Sequence, residues 1–334
     1  MLFRSNNSKV HKPGSDVVVD WPKCSMARMR PDGSEFEVIS TGPNNIWGLV
    51  ITGEGETFIQ EANDYGYPVM PFHEYAYYPG GMEALKKSYQ PDFPPQAEFR
   101  MSGTGLSGLA LIESGPLSPK VEPSIANTQA PLLEKVGHVM AVANPITSKI
   151  QTIAMHRDGA YWKPAQLPDL ITCDDPFFRP VGMTNGPDGC IYIVDWYNKI
   201  ISHNEVPRAH PDRDKTRGRI WRVKPKSCGE SPLTHPIPDF TKLTPEQLIA
   251  MLGAEPVGSA HLAWQTLADG YGKSRGADAA KVIDGLKTVV TIDKDEPSTR
   301  IMALAAYEAW LETRSENLKP LLGHKSANVR QQAA

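Results

Sequence analysis

The sequence has no run of about 18 apolar residues, so no segment of it reads as a membrane-spanning helix. It has no excess of basic charge either. Its 35 Lys and Arg against 38 Asp and Glu leave a formal net charge of −3, without the electrostatic footprint that binding to nucleic acid or an anionic membrane surface needs. Cysteine is scarce: Cys24, Cys173, Cys190 and Cys228 are too widely spaced for a C-x-x-C pair or a zinc pattern, and they read as buried or free thiols. The opening residues Met1-Leu2-Phe3-Arg4-Ser5-Asn6-Asn7 lack the apolar core of a signal peptide, and the chain stops in what reads as the first turns of a helix. Both ends therefore read as truncation points. A small polar or neutral ligand is left open by all of these absences.

Turn formers are plentiful. The 334 residues hold 30 prolines and 27 glycines, most of them before residue 240. Between them lie short runs rich in β-branched and aromatic residues, which predict strands over Glu35–Ser40, Trp47–Thr52, Thr57–Glu61, His138–Ala143, Lys149–His156 and Ile191–Asp195. Two stretches, 45–59 and 179–193, share one pattern of strand, tight turn, strand. The second carries Pro187-Asp188-Gly189, where Pro fixes φ, Asp bonds back to the backbone and Gly accepts a positive φ. Each copy then runs into a polar end, Glu61-Ala62-Asn63-Asp64 and Asp195-Trp196-Tyr197-Asn198. Recurrence of such a unit without long helices between argues for propeller blades rather than a parallel α/β sheet. At about 40–50 residues per blade, residues 1–226 would hold about four or five blades, the later part of a six-bladed ring. A Tyr- and Pro-rich insertion, 65–100, separates the two copies and reads as a functional loop.

Residues 227–242 read as a turn-rich linker, after which the period changes. Thr244-Pro245 is a helix start, with Thr at the N-cap and Pro at the first helical position. Further helices are predicted at 257–269, 277–291, 297–312 and 316–323. Segments 297–306 and 326–334 align on Arg300 and Arg330, a spacing that suits stacked HEAT-type helix pairs across 243–334, with a generic helical bundle as the alternative.

Several segments occur in a characteristic order: Gly66-Tyr67-Pro68-Val69-Met70-Pro71-Phe72-His73-Glu74-Tyr75, Gly103-Thr104-Gly105-Leu106-Ser107-Gly108, Ala143-Asn144-Pro145-Ile146-Thr147-Ser148, Phe178-Arg179-Pro180-Val181, and Asp195-Trp196-Tyr197-Asn198 through Gly218-Arg219-Ile220-Trp221. In this order they resemble the membrane-bound dehydrogenase-type propeller domain of planctomycetes and related bacteria, over most of residues 40–225. That domain is similar to pyrroloquinoline quinone (PQQ) sugar dehydrogenases, is commonly followed by HEAT-like repeats and often ends in a cytochrome c module. The resemblance implies a periplasmic or extracellular protein, an oxidoreductase acting on a sugar or other alcohol, PQQ and calcium as cofactors, and a cytochrome as electron acceptor. No C-x-x-C-H occurs here, so haem would belong to a module outside this chain.

Asp195, Trp196 and Asn198, with His203, form the leading candidate site, because a carboxylate, an amide and an imidazole at a strand end suit a polar substrate or calcium at Asp195. The alternative is that Asp195 and Asn198 cap turns. Asn63 and Asp64 occupy the equivalent strand end in the first copy. Arg179 reads as a charge stabiliser for a carboxylate or quinone oxygen, or as the partner of Asp174 or Asp175. His73, beside Glu74, reads as a general base, or as a structural histidine. Gly103-x-Gly105-x-x-Gly108 matches the letters of a dinucleotide fingerprint, but a strand rather than a helix follows it, so the glycines read as a tight turn or a close backbone approach. Two functions from different classes follow: a quinone-dependent dehydrogenase with His73 as base, or a non-catalytic carbohydrate- or protein-binding propeller with a helical docking surface.

Overall fold

The computed structural model describes residues 8–11, 14–21, 25–29, 33, 36–41, 45–62, 68–75, 101, 105–112, 136–158, 161–201, 206–224, 237–254, 256–271, 277–291, 297–307 and 318–334. In chain order the strands are β1 (Ser8–His11), β2 (Val18–Trp21), β3 (Ser25–Met29), β4 (Phe36–Thr41), β5 (Ile46–Ile51), β6 (Thr57–Glu61), β7 (Val69–Pro71), β8 (Leu109–Leu111), β9 (Val136–Asn144), β10 (Lys149–Asp158), β11 (Tyr161–Thr172), β12 (Pro180–Asn185), β13 (Ile191–Asp195) and β14 (Arg219–Val223). They form small antiparallel sheets: the pairs β1-β2 and β3-β4, then β5-β6-β7, β8-β9-β10-β11 and β12-β13-β14. Neighbours in each sheet are consecutive in sequence, as hairpin connections demand.

The two copies read from the sequence are the same structure. In one, Ile46 pairs with Glu61 and Gly48 with Gln60, with an irregularity between; in the other, Pro180 pairs with Asp195 and Gly182 with Val194, with the same irregularity. The turns match as well. Gly55 N donates to Thr52 O at 3.1 Å and Gly189 N to Gly186 O at 3.0 Å, and both glycines hold positive φ, 77° and 75°. Past the strand end, Ala62 N donates to Asn45 O at 3.1 Å and Trp196 N to Arg179 O at 2.9 Å.

The first strands of the three larger sheets, β5, β8 and β12, lie side by side and run the same way. Ser107 Oγ donates to Val181 O at 2.6 Å near their beginnings, and near their ends the Asn185 amide both accepts from Leu111 N (2.9 Å) and donates to Leu111 O (2.7 Å). Glycine permits the approach. A Cβ on Gly48 would stand 2.8 Å from Leu109 N, and one on Gly108, at φ 82°, would stand 2.9 Å from Gly182 Cα. The glycines of the G-x-G-x-x-G letters that are described, Gly105 and Gly108, sit at the entry to β8; Gly108 serves contact between strands, and Gly105 lies against Ile146 of the turn between β9 and β10.

The helices are α1 (Pro245–Ala250), α2 (Val257–Tyr271), α3 (Ala277–Thr291), α4 (Pro297–Tyr307) and α5 (Ala327–Ala333), with 3-10 turns at Phe240–Lys242 and Lys319–Gly323. Thr244 caps α1 in a capping box with Gln247, with Pro245 at the first position. The segment expected as a helix at 316–323 is instead the 3-10 turn, with Pro320 in its first residues. Apolar side chains of the helices (Leu248, Val257, Leu267, Val282, Ile301, Val329) and of the sheets (Val50, Phe58, Leu109, Met140, Met155) share one core. A separate cluster, with Ala110, Ile112, Ala141, Phe178 and Ile193, fills the space between the second and third larger sheets. Helix α2 sits over the far end of the first strands: Ser259 Oγ donates to Pro187 O at 3.0 Å, and a Cβ on Gly258 would lie 3.1 Å from Gly186 O. The charged run 210–217 lies between β13 and β14, two neighbouring strands of one sheet.

Candidate functional site

The near end of the three larger sheets is built on buried polar residues. Glu61, Asn144 and Asp195 each close the second strand of their sheet, and each is at most 1% exposed. Asn144 Oδ1 accepts from Ile146 N (3.1 Å) and Thr147 N (3.2 Å), so its side chain holds the turn that follows. Asp195 does the same more elaborately. Its Oδ1 accepts from Arg179 N (2.8 Å) and Tyr197 N (2.9 Å), and its Oδ2 from Arg219 Nε (2.6 Å) and Trp221 Nε1 (2.9 Å). Burial alone would raise its pKa, but the Arg179 amide, the Trp221 indole, the Tyr197 amide and the Arg219 guanidinium outweigh it and hold the carboxyl below the usual range. Arg219 also binds Asp175 at 2.7 Å and lies over the Tyr197 ring at 4.4 Å, and Phe177 stacks on that ring at 5.0 Å.

The other expected residues here serve the same loop. The Arg179 guanidinium donates to Ser148 Oγ (2.5 Å), Phe178 O (3.0 Å) and Lys199 O (3.4 Å), while Asp175, one of its expected partners, is taken by Arg219. Asn198, buried, accepts from Ile200 N and donates to Asp214 O at 2.9 Å. Trp196 is 39% exposed and faces outward. A calcium ion at Asp195 does not fit: four donors already occupy both oxygens, and one of them is a guanidinium whose charge would repel a cation. Among the described residues no group of three His, Cys, Asp or Glu side chains has metal-binding geometry. Asn63, Asp64 and His203 lie outside the described residues.

His73 is at the opposite end. β7 runs antiparallel to β6, with Pro71 opposite Phe58, so His73 emerges beside Thr57, whereas Asp195 lies at the end where Pro180 begins β12. The turn that carries His73 is anchored to β3 and β4. Arg28 binds Glu74 (3.0 Å) and Glu37 (2.8 Å), the Tyr75 hydroxyl donates to Glu37 (2.7 Å), and Tyr75 N donates to Ile39 O (2.5 Å).

His73 and Glu74 line a cavity of about 530 Å³ with Glu56, Phe72, Trp162, Gln331 and Gln332. Behind its wall, Glu56 Oε2 meets His138 Nε2 at 2.7 Å, both buried, and the Phe58 and Trp162 rings pack on His138 at 5.4 and 5.0 Å. Helix α5 closes one side, with Gln332 Nε2 donating to Gly55 O at 3.3 Å. Glu56, His138, Trp162 and Gln332 come from three distant segments, and the sequence reading missed them. The signal available was Glu56, a carboxylate at the position where the second copy has the buried Cys190. A second cavity of about 390 Å³ lies beneath α2, mostly apolar, between Leu49, Leu109, Met183 and His261. Burial lowers the His261 pKa against the partial opposition of the Thr52 carbonyl, which favours its neutral form.

The class defined by these features is a series of small antiparallel sheets, stacked through glycine-lined first strands and joined to a helical C-terminal part. Residues 6–227 match the family described as Domain of unknown function (DUF7133), and the chain belongs to that family. No curated protein sequence matches it. Among solved structures it is similar to a Thermus thermophilus protein described as a putative oxidoreductase (glucose dehydrogenase), at 18% identity and TM-score 0.37, over 56% of this chain and 47% of that one. A second structure described as a glucose dehydrogenase gives 18% identity and TM-score 0.29, over 57% and 43%. The chain thus spans less than half the length of either.

Proposed function

We propose that the chain is a carbohydrate-recognition protein whose ligand, a sugar or sugar-like polyol, sits in the His73 cavity. One observation carries the reading: an imidazole, two carboxylates and two amides share that cavity with the apolar walls of Phe72 and Trp162. Hydroxyl groups need convergent donors and acceptors, and the C–H faces of a sugar need an apolar or aromatic wall. In this reading the sheets are consecutive propeller blades, and the helices are HEAT-like repeats. Arg300 and Arg330, each donating to carbonyls of the segment before its helix, support the helical part.

A dehydrogenase acting on the same ligand, as part of a larger electron-transfer protein outside the cytoplasm, is the second reading. His73 in one cavity with Glu74 and Glu56 favours it, because an imidazole there could take a hydroxyl proton. Oxidation also requires a hydride acceptor. Arg179 and Asp195, expected to serve quinone and calcium, are committed to their loop and lie at the far end, so no redox step is assigned to them.

Calorimetric titration of the protein with glucose and a panel of neutral mono- and oligosaccharides tests the proposal, with His73→Ala as the control. Binding that weakens at least about tenfold in the variant is the expected result. Absence of binding across the panel would sink it. Sugar-dependent reduction of an acceptor dye on adding PQQ and Ca²⁺ would decide for the second reading.

A further inference from the structure

Helix α2 is fastened to two sheets at once. Ser259 Oγ donates to Pro187 O at the turn of the third larger sheet, and the His261 ring donates to the Thr52 carbonyl at the matching turn of the first. Strand β8 lies between those two sheets, with Leu109 against Gly48 and Gly108 against Gly182, so the helix bridges the end of the middle sheet. Beneath the bridge is the cavity of about 390 Å³, with Leu49, Leu109, Leu111 and Met183 of the three first strands on one side and Leu262 of α2 on the other. Both walls belong to this chain, and no lining residue is shared with the His73 cavity.

The polar groups of this cavity are few. Among the described residues its polar side chains are Thr184, Asn185 and His261, and the Asn185 amide is already committed to Leu111 N and O. His261 Nε2 is buried and has no hydrogen-bond partner, so the bond to the Thr52 carbonyl is made by Nδ1–H. Burial favours the neutral imidazole, and a neutral ring with its proton on Nδ1 carries a lone pair on Nε2. A buried acceptor left unpaired costs free energy. Water answers it poorly, because a cavity of this size would hold several waters, each needing about two to four polar partners, and the walls are mostly apolar. An apolar molecule carrying one donor satisfies the imidazole and the walls together.

We propose that the cavity beneath α2 binds a small phenol or other alcohol, its apolar body between the first strands and the helix and its hydroxyl donating to His261 Nε2. Ser259 and the Nδ1–H of His261 hold the helix over the ligand, and the ring thus serves the fold through one nitrogen and the ligand through the other.

Calorimetric titration of the full chain with para-cresol and with toluene, which share an apolar body and differ in the hydroxyl, tests this. One-to-one binding of para-cresol is expected, and it should be lost in Leu262→Trp, which fills the cavity with an indole. In His261→Phe, which keeps a ring of similar size, the ratio of para-cresol to toluene affinity should fall at least about fivefold, the worth of one hydrogen bond. Nitrogen NMR of the wild-type ring gives a readout that needs no variant: the proton should reside on Nδ1, and the Nε2 signal should move with para-cresol and not with toluene. No para-cresol binding by the wild type, an affinity ratio that His261→Phe leaves unchanged, or a proton resident on Nε2 overturns the proposal. Binding that survives Leu262→Trp overturns it as well, since the ligand would then sit elsewhere.

Discussion

The β5-β6-β7 and β12-β13-β14 sheets share a register, a turn and a strand-end contact, yet they spend their polar residues differently. The first puts a carboxylate, Glu56, at the far end, where it meets His138 beside the His73 cavity. The third has Cys190 at that place, spends its far-end carboxylate Asp188 on Arg222, and at the near end uses Asp195, Arg219, Asp175 and Arg179 to hold one loop. A repeated backbone unit therefore does not repeat its chemistry. A strand-end carboxylate is a site only if its oxygens are left available, and those of Asp195 are not.

Removing that carboxylate is the largest break available. Asp195→Ala leaves the Trp221 indole and two backbone amides without their acceptor and the Arg219 guanidinium with Asp175 alone, and a loss of about 3–5 kcal/mol in urea unfolding is expected. The same anchor sets a pH dependence. Asp195, Asp188 and Asp175 all have pKa values lowered in the fold, and the Asp214 carboxyl, which accepts from the Thr216 amide and binds Arg217, is lowered to about 2. For depressed carboxylates the stabilisation is fully present above the unfolded pKa, near about 4, and is lost as pH falls through the folded values. Acid unfolding should therefore begin below about pH 4, and in Asp195→Asn the slope of stability with pH should be shallower. An unchanged slope would show that other groups set the acid limit.

Next in size is a contrast between two glycines at one register position. Gly48→Ala forces a Cβ against the Leu109 backbone and should cost about 1–3 kcal/mol. Among the described residues a Cβ on Gly182 meets only Val194 Cβ, at 3.9 Å, so Gly182→Ala should stay within about 0.5 kcal/mol of wild type. Equal losses at both would mean that another part of the chain presses on Gly182 in solution, and the contrast between the two positions would fail.

Much of this was legible before the structure. The 45–59 and 179–193 repeat aligns residue for residue because its turn depends on a glycine at positive φ, Gly55 or Gly189, and such turns leave a mark in composition. Strand Ile191–Asp195 and the start of α1 were readable for equally local reasons, a β-branched run and a Thr-Pro cap. The candidate site was legible only in part. His73 was singled out, but its cavity is made with Glu56, Trp162 and Gln332, which tertiary packing alone brings together. Asp195 and Asn198 drew attention as polar residues at a strand end, and the same composition serves a turn-holding side chain, so only the donors around them separate the two roles.

The smallest expected effect tests whether the His73 turn is held for a purpose. Arg28, Glu37 and Glu74 form ion pairs with side chains 44–48% exposed, and such pairs contribute only about 0–1 kcal/mol to stability. Arg28→Ala should therefore barely move the melting temperature. It also releases Glu74 and half of the Glu37 contact from the turn between β7 and the cavity, leaving the Tyr75–Glu37 hydrogen bond as its main side-chain anchor. If that turn positions His73 for a ligand, sugar binding in Arg28→Ala should weaken several-fold with the fold intact, and part of the loss should return in Arg28→Lys. A variant that melts and binds like wild type would assign the ion pairs to the surface alone and leave the cavity to be shaped by Trp162, Glu56 and α5.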